Sequence, residues 1–410
     1  MKIRTKIFFL GMALAGTLAH GFENKQYSLD ELIRLGIENS PTVAAQLEEL
    51  QAKNAAYQAS KRLINPELEF HYGDAESYDG LVQRDTTEFS VHQPLENPFK
   101  RHHRIQVFKN GWQAGEYLYR YVQLEVIADI KTQFYLILLF SETEKLAAKT
   151  AASIKETHKL IVKRAQLGEV KELEAIKLRV EMLKAENELN KIMTELRLAK
   201  ENLNKSLGNI LPPDFDVKGE FAYTPLPLNQ ESILNAILPK HPLIQGKKQL
   251  IEKAESEIRF VKWQRLPDFK LTAFSKKELD GKNQGFGVTL DIPLWNWRSK
   301  EIAVAENLFQ KQSHELKKLE LELSTEVSSR INRLKLSERT IHLFTGGLLE
   351  QAEESLKISE TSYKHGEISL IDYLDSQRTY YSILKDYQNA LYAWNAEKAA
   401  LEKTIGEELE

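Results

Sequence analysis

The sequence predicts a mainly α-helical protein with an internal duplication, in which long coiled-coil helices are joined to four short β-strands. Only 12 prolines and 19 glycines interrupt a chain that is 28% charged, a composition that favours long amphipathic helices. Landmarks in the first half recur roughly 200 residues later, as in repeat proteins. Short segments of alternating apolar residues occur in both halves and indicate strands.

Charge and cysteine content exclude several classes of function. The 56 Lys and Arg residues balance 59 Asp and Glu residues, so no basic surface for nucleic acid is expected. The sequence contains no cysteine, which excludes disulfides, thiolate metal sites, cysteine catalysis and lipid attachment to an N-terminal cysteine.

The first 21 residues are predicted to be a secretory signal peptide. Lys2, Arg4 and Lys6 precede an apolar stretch that ends near Ala19 and is followed by small residues. This stretch is shorter than the roughly 20 apolar residues that a transmembrane helix needs. We therefore expect an exported protein whose mature chain begins near Phe22.

Five pairs of landmarks keep their order and nearly their spacing, which predicts one repeat over residues 22–210 and a second over 230–410. The pairs are Ser40-Pro41 and His241-Pro242, Asn65-Pro66 and Leu266-Pro267, Gln93-Pro94 and Ile292-Pro293, Gly168-Glu169 and Gly366-Glu367, and Leu207-Gly208 and Ile405-Gly406. Residues 211–229 are proline-rich, show almost no helical periodicity and form the predicted linker between the repeats.

Each repeat should contain an opening helix, a hairpin and a long helix pair. The first opening helix starts with a capping box at Ser28 and is expected to run to about Lys61. The predicted hairpins lie within residues 66–93 and 267–293, with strands at 66–74, 86–93, 267–275 and 285–292. Helix pairs are predicted over 99–207 and 297–405, reversing at Gly168 and Gly366 and packing as coiled coils.

Four strands in one chain are too few to close a barrel, and open strand edges are unstable in lipid. Three copies would supply twelve strands and place twelve helices in a tube below them. The sequence thus predicts an oligomeric conduit with helical arms about 100 Å long.

The chain resembles the TolC-like outer-membrane efflux family from Tyr27 to Gly406. The most specific match runs from Ser362 to Gly366 and on through residues 371–377, which in the family form the periplasmic turn and the start of the returning helix. Gln93-Pro94-Leu95, followed by Lys100-Arg101, is similar to the branch that serves heavy-metal cation exporters. The resemblance implies a trimeric β-barrel and α-barrel channel that docks to a periplasmic adaptor and an inner-membrane pump.

The resemblance also implies functional positions at the periplasmic end. Asp372 and Asp375 share one helix face and are expected to line the narrow entrance. Tyr363 and Arg378 are the expected hydrogen-bond and ion-pair partners that hold the resting tip shut, with a place on the outer face as the alternative for Arg378. The alternative interpretation is an acidic helix face turned to solvent. The adaptor is expected to dock on the two turns, at Gly168 and Glu169 and at Gly366 and Glu367. This chain has Glu367 and Ile368 where related channels often have a basic residue.

Other side chains admit structural interpretations. His102-His103 is expected to belong to a solvated basic collar over residues 100–104, with transient cation contact as the alternative. Five aromatic residues are expected to face lipid: Phe70, Tyr72, Phe89, Phe269 and Phe274. The sequence shows no catalytic constellation and no metal or cofactor motif, so a non-enzymatic channel is expected.

The sequence leaves the cargo open. A channel for type I protein secretion or drug efflux is the main alternative to a heavy-metal channel, and a periplasmic coiled-coil adaptor is a weaker one.

The loops at 75–85 and 276–284 are predicted to lie outside the cell because they are polar.

Overall fold

The first repeat folds as two short helices, a β-hairpin and an antiparallel helix pair in the computed structural model, which describes residues 25–81, 83–226 and 229–409. The predicted signal peptide lies outside the described residues. In chain order the elements are β1 (Gln26–Tyr27), α1 (Leu29–Asn39), α2 (Pro41–Ser60), β2 (Glu67–Glu76), β3 (Gln83–Leu95), α3 (Pro98–Gln166) and α4 (Glu172–Ser206). Helix α3 has 69 residues and is therefore about 100 Å long.

The prediction of one continuous opening helix is wrong, because the chain bends at Ser40. Ser28 and Glu31 form the predicted capping box at the start of α1. Pro41 occupies the first turn of α2, and the preceding residue, Ser40, adopts extended backbone angles. Proline disfavours the helical conformation of the residue before it, so the helix divides there.

The second repeat follows the same order after a short strand, β4 (Asp216–Val217), which pairs in parallel with β1. Its elements are α5 (Gln230–Ser232), a π turn (Ile233–Ile237), a 3-10 turn (Leu238–Lys240), α6 (Pro242–Trp263), β5 (Phe269–Lys277), β6 (Lys282–Leu290), α7 (Ser299–Leu343), a second π turn (Phe344–Leu348), α8 (Leu349–Lys364) and α9 (Leu370–Ile405). The second long helix is therefore divided where the first is not.

The two hairpins form one antiparallel sheet in the order β2-β3-β5-β6. Strands β3 and β5 join the repeats, with Phe89 opposite Ser275. Strands β2 and β6 are the outer strands, and within the described residues neither pairs with a further strand.

The helices lie side by side and change neighbours along α3. Nearer the sheet, α3 packs between α2 and α6, and α6 also packs against α7. Farther from the sheet, α3 packs between α4 and α9, and α9 packs against α7 and α8. Helix α3 is therefore shared by both halves of the layer.

The repeated sequence landmarks meet each other at the level where the neighbours change. A Cβ on Gly208 would lie 2.7 Å from the carbonyl oxygen of Asn39, beside Pro41. A Cβ on Gly406 would lie 2.8 Å from Cδ of Pro242. Each returning helix thus ends against the bend that opens its own repeat, and only glycine permits this approach.

Two apolar clusters flank this level and the linker contributes to both. Phe215 of the linker is buried in a cluster with Leu32, Ile130 and Leu203 of the first repeat. Tyr223 packs against the second cluster, which contains Trp394. In the described part of the chain, no helix combines the length and apolar character needed to cross a membrane.

Candidate functional site

The two helix reversals have the same geometry at the end of the molecule farthest from the sheet. Gly168 and Gly366 both have φ of +77°, and each follows the last turn of its helix. The amide of Glu169 donates to the carbonyl of Arg164, and that of Glu367 donates to Ser362, both at 2.9 Å. This 6→1 bond is the Schellman arrangement, in which glycine accepts the left-handed conformation without steric cost.

The two turns sit on one apolar cluster, so the ends of both helix pairs form a single tip. Ile161 of α3 and Leu178 of α4 are fully buried with Tyr373 and Leu374 of α9. The rings of Tyr363 and Tyr373 stack with centroids 5.3 Å apart. Burial raises the pKa of the Tyr363 hydroxyl above its ordinary value.

Asp372 and Asp375 are both exposed at the start of α9. The Asp372 carboxylate accepts a 2.7 Å bond from the Ser369 hydroxyl, and the Asp372 amide donates to that hydroxyl oxygen. Asp372 therefore completes a capping box, a role that the spacing of Ser369 and Asp372 could have revealed. Asp375 remains free to face solvent or an oligomer axis.

Arg378 pairs with Glu181 of α4, at 2.9 Å, rather than with either aspartate. One heptad farther along, Lys385 pairs with Glu188 at 2.8 Å. Burial of Glu181 opposes ionisation, yet hydrogen bonds from Lys184 and Arg378 hold its pKa below the ordinary value. We call these two ion pairs the inter-repeat bridges, because each joins the returning helix of one repeat to that of the other. Sequence analysis missed both glutamates, although the shared spacing of seven was a usable signal.

The sheet has one apolar and one polar face. Residues directly opposite each other in the register share a face. On the apolar face lie Leu68, Phe70, Tyr72, Phe89, Val91, Phe269, Leu271, Phe286, Val288 and Leu290. The prediction for Phe274 is wrong, because it is an odd number of residues from Phe269 and lies on the polar face, over Gly285.

The polar face carries charged and hydrogen-bonded side chains. His92 contacts the Glu69 carboxylate at 2.8 Å and the Thr272 hydroxyl at 2.9 Å. Lys270 pairs with Glu67 at 3.0 Å. Among the residues that the structure describes, no three His, Asp or Glu side chains are placed to hold a metal ion. This face can line water, whereas the opposite face suits lipid.

The basic run at 100–104 is not the solvated collar that was predicted. Lys100 pairs with Asp268 beside β5. Arg104 pairs with the partly buried Glu96 at 2.6 Å and donates to the carbonyl of Ser60. These cations tie the start of α3 to neighbouring elements because their long side chains reach unpaired acceptors at the junction. The His102 and His103 rings contact each other, with centroids 5.2 Å apart.

A known family of proteins also joins an open sheet with one apolar face to long helices that are duplicated in sequence. The model of the family described as outer membrane efflux protein matches residues 32–209 and 233–407 of this chain. The chain belongs to the outer membrane efflux protein family.

Three individual similarities accompany the family match. The efflux protein is 20% identical over 381 residues to the cobalt-zinc-cadmium resistance protein CzcC of Cupriavidus metallidurans, covering 92% of this chain and 90% of the relative. The CmeC outer membrane channel of Campylobacter jejuni superposes with a TM-score of 0.82 at 15% identity, over 98% of this chain and 94% of CmeC. CusC superposes with a TM-score of 0.78 at 16% identity, over 96% of each chain.

The efflux protein is thus an outer-membrane channel with a periplasmic helical extension, as predicted. Its fold is that of the TolC-like channels. Family membership removes the alternative of a periplasmic adaptor.

Proposed function

We propose that three copies of the efflux protein close into a twelve-stranded barrel continuous with a helical tube. The outer strands β2 and β6 carry this proposal, because unpaired strand edges are costly in lipid. The outer helices support it, since each bears exposed apolar side chains suited to a neighbouring copy. These exposed apolar side chains are Leu173, Ile176, Val180 and Leu183 on α4, and Leu308, Leu321, Leu336 and Ile358 on α7 and α8.

Closure of this kind places β6 and α7 of one copy against β2 and α4 of the next. Mass measurement of the purified protein in a mild detergent tests it, with a trimer expected. Glu substitution of Ile176 and Leu183 should weaken the trimer, whereas Glu at the exposed position Lys177 should not. A stable monomer for the native chain would contradict the proposal.

The tip is proposed to dock on a periplasmic adaptor that connects the channel to an inner-membrane pump. Gly168, Glu169, Gly366 and Glu367 lie together at the far end of the helices and present two similar turns. The channel itself acts as a passive conduit without catalysis. Cysteines placed at Glu169 and Glu367 should cross-link to an adaptor in cells, whereas cysteine at the sheet-end residue Asp79 should not.

Heavy-metal cations are the proposed cargo. The similarity to CzcC, a cobalt-zinc-cadmium resistance protein, along nearly the whole chain supports this cargo over drugs or polypeptides. Deletion of the gene should lower the tolerated concentrations of cobalt, zinc or cadmium salts and leave the tolerance of hydrophobic drugs unchanged. The reverse pattern would favour the drug-efflux alternative.

Asp372 and Asp375 are proposed to line the narrow periplasmic entrance, with Tyr363 behind them. Threefold symmetry would gather six carboxylates around one axis, and such rings favour cations. Asp375→Asn is the cleaner test, because Asp372 also caps α9. In planar bilayers it should lower cation selectivity and block by multivalent cations. Asp386→Asn, another exposed acid on α9, is the matched control, and equal effects would return Asp375 to an ordinary solvent-facing role.

A further inference from the structure

The connection between β6 and α7 exposes two tryptophans. Trp295 is 94% exposed and Trp297 is 62% exposed, and Ile292 and Leu294 beside them are also exposed. Scattered apolar residues on a surface are ordinary, but four within six residues make a contiguous patch. We refer to residues 292–297 as the tryptophan segment.

The backbone of the tryptophan segment is held in place, so its rings project from a built structure. Nε of Arg265 donates to the carbonyl of Trp297 at 2.8 Å. The Asn296 side chain accepts from the amide of Arg298 at 2.9 Å and donates to Glu301 at 3.1 Å. Polar groups therefore bond to the protein while the apolar side chains point away from it.

The first repeat makes the same asparagine contact without the tryptophans, although α3 begins directly after Asn97 and α7 begins only after Arg298, whose φ is +50°. Asn97, the counterpart of Asn296, accepts from the amide of Phe99 at 3.0 Å. The counterpart of Trp295 is Glu96, which is partly buried and forms an ion pair with Arg104. The asparagine contact does not require outward aromatic residues, so those of the second repeat need another explanation.

The position of the segment indicates what covers it. Phe286, Val288 and Leu290 lie on the apolar face of β6, and Ile292 and Leu294 continue that alternation. The segment lies at the helical end of the sheet, next to the cations Arg298 and Lys300. Tryptophan concentrates where a membrane meets water, and long cationic side chains reach lipid phosphates from the same level.

We propose that the tryptophan segment anchors the channel in the periplasmic leaflet of the outer membrane. Trp295 and Trp297 lie at the boundary between phospholipid headgroups and acyl chains, and Arg298 and Lys300 face the phosphates. The proposal rests on the outer-membrane location of the protein. A neighbouring copy is the competing occupant, because Leu63 and Ile64 are exposed at the opposite edge of the sheet.

Fluorescence quenching by brominated lipid tests the anchor. The full mature chain is placed in phosphatidylcholine vesicles whose acyl chains carry bromine close to the headgroup. The chain contains five tryptophans. Combined Trp295→Phe and Trp297→Phe substitutions should lower the bromine-quenched emission by about half or more, because interfacial tryptophans contact the quencher. The matched control is Trp394→Phe, since Trp394 is 1% exposed and its loss should leave the quenched emission unchanged.

Four results would overturn the anchor, and each identifies a different cause. Quenching by aqueous iodide instead of bromine would place the rings in water. Protection from both quenchers would place them under a neighbouring copy. Release of the protein from the vesicles by alkaline carbonate would contradict membrane insertion itself. Unchanged bromine quenching in the double variant of an inserted protein would assign the signal to other tryptophans.

Discussion

The two repeats contain the same elements, but their returning helices have different roles in the protomer. Helix α9 of the second repeat lies between α3 and α8 and buries Tyr373, Trp394 and Leu401 among others. Helix α4 of the first repeat lies at the edge of the layer and leaves Leu173 and Ile176 exposed. The duplication has thus produced one inner helix, which supplies core contacts, and one outer helix, which keeps an apolar face for another copy.

The long descending helices differ as well. Helix α3 continues unbroken through Ala148 and Lys149, whereas the corresponding Gly346 and Gly347 lie in a π turn between α7 and α8. Gly347 has φ of +123°. Kinks in helices have local causes, and here two adjacent glycines supply it. The long descending helix of the second repeat therefore bends at a point where that of the first repeat is straight.

Removal of a core side chain should give the largest difference in the free energy of unfolding between the inner helix α9 and the outer helix α4. Trp394→Ala should lower the free energy of unfolding by about 3–5 kcal/mol, because a large buried ring leaves a cavity. Its counterpart in the first repeat is Leu196, which is only partly buried. Leu196→Ala should lose about 1–2 kcal/mol. Denaturation of each variant in detergent, followed by circular dichroism, measures both. Equal losses would contradict the division between inner and outer helices.

Most of the fold follows from local sequence patterns. The features that the sequence did not predict are mainly contacts between distant parts of the chain. Helix α3 lies within a residue of its predicted bounds because periodicity and missing prolines act locally. The face of Phe274 could have been read correctly from strict alternation. By contrast, β3 pairs with β5 from a distant part of the chain, and no local pattern specifies that pairing. The bridge from Glu181 to Arg378 is equally non-local, and its only signal in the sequence is the same charge pair one heptad farther along.

Gly208 lies at the level where α3 changes neighbours, and Gly168 lies at the tip. The two glycines have the same backbone conformation, so substitutions at them allow a matched comparison of these two places. Gly208 has φ of +80° and Gly168 has φ of +77°. Gly208→Ala should destabilise by about 2–4 kcal/mol, since its Cβ would also clash with the carbonyl of Asn39. Gly168→Ala should cost only about 1 kcal/mol, because nothing lies within 4 Å of its Cβ. Thermal melts of both variants decide it, and a larger loss for Gly168→Ala would refute the packing argument.

The kink in the second repeat is open to the same kind of test. Gly347→Ala should destabilise by about 1–2 kcal/mol because alanine disfavours positive φ. Gly346→Ala is the control, since its Cβ would meet nothing within 4 Å and its φ is not positive. That substitution should be neutral or slightly stabilising, as alanine is the better helix former. If both variants melted alike, the positive φ would not be the constraint that shapes this turn.

The smallest expected effect concerns the inter-repeat bridge between Arg378 and Glu181. The pKa of Glu181 is lowered in the folded protein, so its pair stabilises above the unfolded pKa and loses that contribution as pH falls through the folded pKa. Arg378→Gln should therefore cost about 0.5–1 kcal/mol near pH 7, since Arg378 is largely exposed. The difference from the native chain should begin to shrink as the pH falls below about 4.3, the ordinary Glu value, and should vanish below the lowered pKa of Glu181 in the folded protein.

A control at Lys184 shows whether the link between repeats matters beyond the charge pair. Lys184 also bonds to Glu181, at 3.2 Å, but both residues lie on α4. Lys184→Gln removes a similar charge contact without separating the two returning helices. Hydrogen exchange should therefore quicken in the first turns of α9 for Arg378→Gln and remain unchanged for Lys184→Gln. Equal exchange in both variants would mean that the apolar tip cluster, rather than the bridge, holds the inner helix of one repeat to the outer helix of the other.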